Sequence, residues 1–109
     1  PKELIAMFNH ILEYNKLEKE LKNLLIYKKA LFSSNFSTES EFLAELNQLL
    51  NDESSLWRGH ATLLVGDFFA SKNEFVKANE FYTKVISITN LPQSIYEKTI
   101  SRLSSIDKK

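Results

Sequence analysis

The sequence contains no cysteine and only two glycines and two prolines among its 109 residues. Without cysteine the chain can form no disulfide, no thiolate nucleophile and no cysteine-based zinc site. Folds rich in tight turns need many glycines and prolines, so their scarcity favours helices joined by short connections. No apolar run approaches the roughly 20 residues that a membrane-spanning helix requires. The composition therefore predicts an all-α fold.

An excess of positive charge is also lacking. Fourteen Lys and Arg residues balance fourteen Asp and Glu residues, and the two signs are interspersed along the chain. Nucleic-acid binding depends on a basic stripe that meets phosphates, whereas an interspersed pattern is typical of solvated helix faces. We therefore expect no nucleic-acid partner.

Residue patterns for catalysis or for binding a cofactor are missing as well. The two histidines, His10 and His60, lie in different predicted helices and have no HExxH spacing, so they do not form a zinc site. No serine occupies a GxSxG turn, and two separated glycines cannot build a phosphate-binding loop. We therefore expect no catalytic residue, no metal ion, no cofactor and no enzymatic activity.

Apolar residues recur at helical spacing in six segments. The predicted helices cover residues 2–14, 17–32, 38–50, 55–70, 74–88 and 92–106. Helix start signals precede four of them: Asn15 with Glu18, Thr38 with Glu41, Ser54 or Ser55, and Pro92. Asn73 tolerates positive φ better than most residues, so we expect it in a left-handed turn between the fourth and fifth helices.

The first predicted helix has an apolar stripe without an evident neighbour. The stripe consists of Leu4, Ile5, Phe8, Ile11 and Leu12. Because the chain begins at Pro1 and not at methionine, we expect it to be part of a longer protein. The stripe could then pair with a second copy, so a homodimer through this helix is one alternative.

The best-defined pair of helices runs from Leu56 to Ile88. Gly66 and Ala78 are small residues where two such helices would cross, and small side chains permit a close approach of the backbones. A weak repeat of about 36 residues aligns Ala30 with Gly66 and Phe42 with Ala78. We therefore expect Ala30, Gly66 and Ala78 to lie at helix crossings.

This helix pair resembles the tetratricopeptide-repeat pattern. The resemblance rests on Gly66, Phe69, Asn73, Glu74, Phe75, Ala78, Tyr82 and Val85. The sequence departs from the pattern at two positions. Thr62 stands where an aromatic residue is usual, and Val85 stands where a small residue is usual. The resemblance implies an all-α fold of antiparallel helix pairs, stacked as a short tetratricopeptide-like α-solenoid with a C-terminal capping helix. A single domain of residues 1–109 would comprise a partial repeat helix (1–15), a degenerate repeat (16–51), the best repeat (54–90) and the capping helix (92–106).

A narrower resemblance rests on residues 55–58, 63–66 and 90–92, and it covers residues 17–106. These segments are similar to the bacterial tetratricopeptide-like domain of the ancillary Sec-translocon subunit family, which is itself similar to TolA-binding repeat proteins. Members have one N-terminal membrane span and a helical domain that faces the periplasm. The resemblance implies the soluble C-terminal part of a membrane-anchored envelope protein. Membrane contact would be made only through a segment absent from this chain, and a cytoplasmic location is the alternative.

The resemblance also implies a binding site. In tetratricopeptide domains the first helix of each repeat lines a concave groove, and here that face contains His60, Leu63 and Asp67. Tyr27 takes the position of Leu63 in the earlier repeat. We therefore expect these four residues to contact a protein or peptide partner, in a non-catalytic interaction scaffold. Two alternatives stay open: ordinary helix surface at these positions, and a structural self-association module of a generic cytosolic repeat protein.

Overall fold

The computed structural model describes the backbone of residues 2–14 and 18–107, and the side chains of residues 2–11 and 18–107. Within these residues the fold is all-α. The six helices are α1 (Lys2–Tyr14), α2 (Lys19–Ser33), α3 (Glu39–Leu50), α4 (Arg58–Ser71), α5 (Phe75–Ile86) and α6 (Gln93–Asp107). The predicted number and order of helices are confirmed. The predicted roles of Asn15, Leu17 and the Leu12 side chain lie outside the described residues.

None of the described helices has both the length and the apolar character of a membrane span.

Two of the predicted helix starts are wrong. Glu18, expected inside the first turn of a helix, is instead the N-cap residue of α2, with extended backbone angles. The sequence predicts Ser54 or Ser55 as the cap of α4, but that helix begins only at Arg58. The reason for the second error is that the hydroxyl of Ser55 bonds the backbone N–H of Trp57 and stabilises a turn before the helix.

The chain divides into two compact units, Pro1–Arg58 and Gly59–Lys109, which we call the first and second units. In the first unit, α2 packs against both α1 and α3. Among the described side chains of this unit, the fully buried apolar ones are Ala30 on α2 and Phe42, Leu46 and Leu49 on α3. The i, i+4, i+7 spacing of the three α3 residues puts them on one helix face, so α3 buries a single stripe.

A capping box determines where α3 begins. The Thr38 hydroxyl accepts a hydrogen bond from the Glu41 N–H at 3.2 Å, and the Glu41 carboxylate accepts one from the Thr38 N–H at 2.9 Å. Two N–H groups that have no partner within the helix are thereby satisfied. The spacing of the two residues predicted this motif, and the structure confirms it.

In the second unit, α4 is mostly apolar, and nine of its fourteen residues are buried. A helix with so many apolar residues is stable only when most of its surface is covered. α5 and α6 pack against each other. They bury Ala78, Tyr82 and Val85 on α5, and Ile95 and Thr99 on α6.

The turn between α4 and α5 is a Schellman motif. The Glu74 N–H donates to the Phe69 carbonyl at 2.9 Å, and the Asn73 N–H donates to the Ala70 carbonyl at 3.0 Å. This pair of bonds needs a left-handed residue after the helix, and Asn73 has a φ of 62°. The predicted conformation of Asn73 is therefore confirmed. Asn90 is a second left-handed residue, with a φ of 61°, where the sequence indicated only the end of a helix.

Both glycines lie in α4, where other side chains approach its backbone closely. A Cβ atom at Gly66 would lie 2.5 Å from Cε1 and 2.6 Å from Cδ1 of Tyr82. A Cβ atom at Gly59 would lie 2.6 Å from Cδ1 of Leu91 and 3.8 Å from Cγ2 of Ile95. Each glycine therefore leaves room for a neighbouring side chain, an aromatic ring in one case and an aliphatic one in the other.

The small residues predicted at helix crossings are all buried: Ala30, Gly66 and Ala78. At Gly66 the three atoms nearest to the missing Cβ belong to the ring of Tyr82. Gly66 thus makes room for a large aromatic side chain. The sequence repeat, which aligns small residues with each other, does not predict this contact. The role of the three residues at helix crossings stays a prediction.

Gly66→Ala is expected to destabilise the second unit. The added methyl group meets the Tyr82 ring, which is buried and cannot move aside, and such overpacking costs about 1–3 kcal/mol. The higher helix propensity of alanine offsets about 1 kcal/mol of this cost. Urea-induced unfolding, followed by circular dichroism, measures the net change.

Gly59→Ala is the matched control, because it makes the same change in the same helix. Its methyl group meets the end of the half-exposed Leu91 side chain, which can rotate away. We expect this variant to be as stable as the wild type or slightly more stable. Equal free energies of unfolding for the two variants would contradict the close contact between Gly66 and Tyr82.

Candidate partner-binding site

Three of the four predicted contact residues follow one face of α4. His60, Leu63 and Asp67 are spaced by three and four residues, which places them on the same side of a helix. Leu63 is only 7% exposed, whereas His60 and Asp67 are half-buried. The accessible part of this face is therefore polar, and it consists of an imidazole and a carboxylate.

Asp67 connects all three helices of the second unit. Its Oδ1 accepts a hydrogen bond from the Tyr82 hydroxyl at 2.5 Å and one from Nε of Arg102 at 3.1 Å. Burial of Tyr82, followed by its hydrogen bond to Asp67, raises the pKa of the phenol. The hydroxyl therefore stays protonated and donates a hydrogen bond to the carboxylate. Asp67, predicted as a contact for a partner, thus also has a structural role.

Three phenylalanines of α4 and α5 form a cluster in the second unit. The ring of Phe69 lies 5.7 Å from that of Phe68 and 5.6 Å from that of Phe81, measured between centroids. A lysine ammonium lies 4.6–5.3 Å from the centroid of each ring: Lys72 on Phe68, Lys77 on Phe69 and Lys84 on Phe81. Such cation–π contacts place these lysines over the aromatic rings.

The fourth predicted residue, Tyr27, lies in the first unit on α2. Its ring stacks on that of Trp57, with centroids 6.0 Å apart and an angle of 22° between the planes. Both rings are half-buried. Stacked aromatic pairs of this kind contribute about 0.5–1.5 kcal/mol beyond the burial of their area. Tyr27 therefore has an aromatic partner within its own unit.

Trp57 belongs to a segment between α3 and α4 that is bonded to α2. We call this segment, residues 52–57, the strap. The Glu20 carboxylate accepts hydrogen bonds from the Leu56 N–H at 2.5 Å, and from the Ser55 hydroxyl and the Asn23 amide at 3.1 Å each. The bond from Leu56 is the main cause that lowers the pKa of Glu20. Glu20 therefore stays ionised and acts as an acceptor only.

Lys19 forms an ion pair and a hydrogen bond with residues at the beginning of the strap. Its Nζ lies 2.9 Å from Oδ2 of Asp52 and donates to the Ser54 hydroxyl at 2.6 Å. The hydrogen bond from Lys19 lowers the pKa of Asp52 to about 2. Sequence reasoning missed the strap, because its partners on α2 lie more than 30 residues away. The only signal was a polar run after α3, which predicts a turn but names no partner.

Among the described residues, no group of three or more His, Cys, Asp or Glu side chains could hold a metal ion.

No protein-family model, no curated protein and no solved structure matches this chain. The likeness to tetratricopeptide and translocon-associated proteins therefore rests on the residues quoted above and stays a prediction.

Tyr82→Phe is expected to lower the free energy of unfolding by about 1–2 kcal/mol, because it removes a hydrogen bond to a charged, partly exposed acceptor. A double-mutant cycle with Asp67→Ala isolates this bond, and we expect a coupling energy of about 1 kcal/mol. Tyr96→Phe removes a hydroxyl from a side chain that is 42% exposed, and should change little. A coupling energy near zero would show that the bond does not stabilise the unit.

Proposed function

We propose that this chain is a non-catalytic protein-interaction scaffold, a helical domain that presents a rigid surface to a segment of another protein. Support comes from large apolar side chains that stay exposed beside a well-formed core: Leu4, Met7, Leu21, Leu31, Phe36, Leu56, Val76, Tyr96 and Ile100. Single exposed apolar residues are normal, so the informative ones are those in helical register on one element.

The observation that carries the proposal is the exposure of such pairs on the first and last helices. Leu4 and Met7 are one turn apart on α1, and Tyr96 and Ile100 are one turn apart on α6. On α6 the buried residues Ile95 and Thr99 directly precede them, so the apolar arc of the helix is wider than the part it buries. Apolar arcs of this kind are typical of helices that contact further partners.

In the proposed architecture, antiparallel helix pairs stack as in tetratricopeptide proteins, and α6 is the capping helix. The partner, an extended or helical protein segment, would contact the half-buried Tyr27, His60 and Asp67, whereas Leu63 is 7% exposed and contributes little accessible surface. Caps and turns such as the capping box of α3 hold the helix ends before any partner arrives. A preformed surface binds with less loss of conformational entropy than a flexible one.

The proposed location follows from the resemblance alone. It makes the chain the periplasm-facing domain of a membrane-anchored envelope or translocon-associated protein of a bacterium, with the cytoplasm as the alternative.

Peptides selected against the immobilised chain from a random display library test the scaffold proposal. We expect His60→Ala and Tyr27→Ala each to weaken the binding of selected peptides at least about tenfold, which corresponds to about 1.4 kcal/mol. Val76→Ala, on a side chain of α5 that is 77% exposed, is the control and should leave the affinity unchanged. Selected peptides that bind all three variants equally would contradict the proposed contact residues.

Self-association through α1 is the second candidate function, and a specific observation favours it. None of the described side chains from Lys2 to Ile11 is buried, although the sequence of α1 is amphipathic, and Met7 is 58% exposed. Within the predicted stripe Ile5, Phe8 and Ile11 are half-buried and Leu4 is exposed. A second copy that packs on α1 would therefore cover Leu4 and the nearby Met7.

Sedimentation at several protein concentrations tests the second candidate. If α1 mediates a dimer, the apparent mass rises with concentration, and Met7→Glu abolishes the rise because it places a charge in the apolar contact. Val76→Glu also introduces a glutamate, at an exposed side chain of α5. This variant should leave the rise of apparent mass with concentration unchanged. A monomer mass at every concentration, or an equal effect of both variants, would contradict self-association through α1.

A further inference from the structure

The strap is bonded by polar contacts to the first five residues of α2. The three α2 residues involved are Lys19, Glu20 and Asn23, and each donates to or accepts from a strap residue. The one aliphatic side chain of the strap, Leu56, is 71% exposed. Segments held by few buried apolar contacts open at a lower free energy than the rest of a fold.

The hydroxyl of Ser55 is the centre of these contacts. It donates to Oε1 of Glu20, and it accepts from Nδ2 of Asn23 and from the Trp57 N–H, each at 3.1 Å. A serine hydroxyl has one donor and two acceptor sites, so its capacity is fully used. Ser55 and Asn23 are both buried. Loss of one partner would leave a buried polar group unsatisfied, so the bonds are expected to form and break together.

The same contacts determine where the indole of Trp57 lies. Its backbone N–H is held by Ser55, which is bonded to α2 through Glu20 and Asn23. With the backbone in this place, the indole stacks on the ring of Tyr27, which is also on α2. The polar bonds and the aromatic stack therefore connect the same two elements.

We propose that the strap is a lid on Tyr27: it opens as a unit while α2 and α3 stay folded, and its opening withdraws Trp57 from the Tyr27 ring. The Glu20 carboxylate controls the lid, because the bonds from the strap residues Leu56 and Ser55 both end on it. The lid itself is independent of the proposed function. Only the use of the uncovered Tyr27 ring by a partner rests on that proposed function.

Hydrogen exchange of backbone amides, measured by NMR on the full chain, tests whether the strap opens separately. Glu20→Gln keeps the shape of the side chain but removes its charge and one acceptor oxygen. We expect the amides of Leu56 and Trp57 to exchange at least about tenfold faster in this variant. The amides of Leu46 and Leu49, in the core of α3, should keep their wild-type rates.

Glu41→Gln is the matched control. The Glu41 carboxylate also accepts a backbone N–H, that of Thr38, but within the capping box of α3. The same chemical change is therefore made in the same unit, away from the strap. We expect it to leave the exchange of Leu56 and Trp57 unchanged.

Nitration by tetranitromethane, mapped by mass spectrometry, tests whether opening uncovers Tyr27. Glu20→Gln should increase nitration of the Tyr27 ring several-fold relative to the wild type. Tyr96, which is exposed on α6 in the second unit, serves as an internal reference and should react equally in both proteins. Faster exchange in the strap with unchanged nitration of Tyr27 would overturn its role as a lid.

Unchanged exchange at Leu56 in Glu20→Gln would overturn the proposal, and so would an equal acceleration at Leu46 and Leu49. If Glu20→Gln fails to fold, hydrogen exchange in Ser55→Ala and in the wild type tests the proposal instead. Ser55→Ala removes the central hydroxyl without changing α2. In the wild type the strap amides should exchange at rates that low denaturant concentrations leave unchanged, in contrast to the amides of α3. A library that yields no binding peptide would count against the proposed function and leave these exchange results unaffected.

Discussion

Close approach between Gly66 of α4 and the ring of Tyr82 is the constraint on which the second unit depends. The ring of Tyr82 takes the place of a Cβ atom at Gly66, and this position brings its hydroxyl to the carboxylate of Asp67. Because that carboxylate also accepts from Arg102, one tyrosine combines a tight van der Waals contact with a polar connection among α4, α5 and α6.

In the first unit, polar bonds have the connecting role that the tyrosine contact has in the second. The helices α2 and α3 share an apolar core, but the segment that follows α3 is bonded to α2 by charged and hydroxyl groups. Hydrogen bonds to charged groups are directional and individually stronger than neutral ones, yet they lose much of their value when water competes. The strap therefore has a defined position in the folded state. It lacks the apolar burial that makes the core of a domain slow to open.

Sequence reasoning was successful where the cause of a structure lies within a few residues. The six helices follow from apolar spacing, the capping box from Thr38 and Glu41, and the left-handed turn from Asn73. It failed where the partner lies far along the chain, as for Glu20 and Leu56, which are 36 residues apart. A helix-surface carboxylate has no local feature that distinguishes a solvated group from a bonded one. For the same reason the sequence predicts Tyr27 and Asp67 as contacts for a partner but does not indicate that they also contact Trp57 and Tyr82.

The position of Trp57 has a consequence for every optical study of this protein. It is the only tryptophan in the chain, and its indole lies in the strap, stacked on Tyr27 of the first unit. Intrinsic fluorescence excited at the red edge of the absorption band will therefore report the surroundings of one short segment. A melting curve recorded in this way can precede the loss of helical ellipticity, since the emission shifts as soon as the indole reaches water.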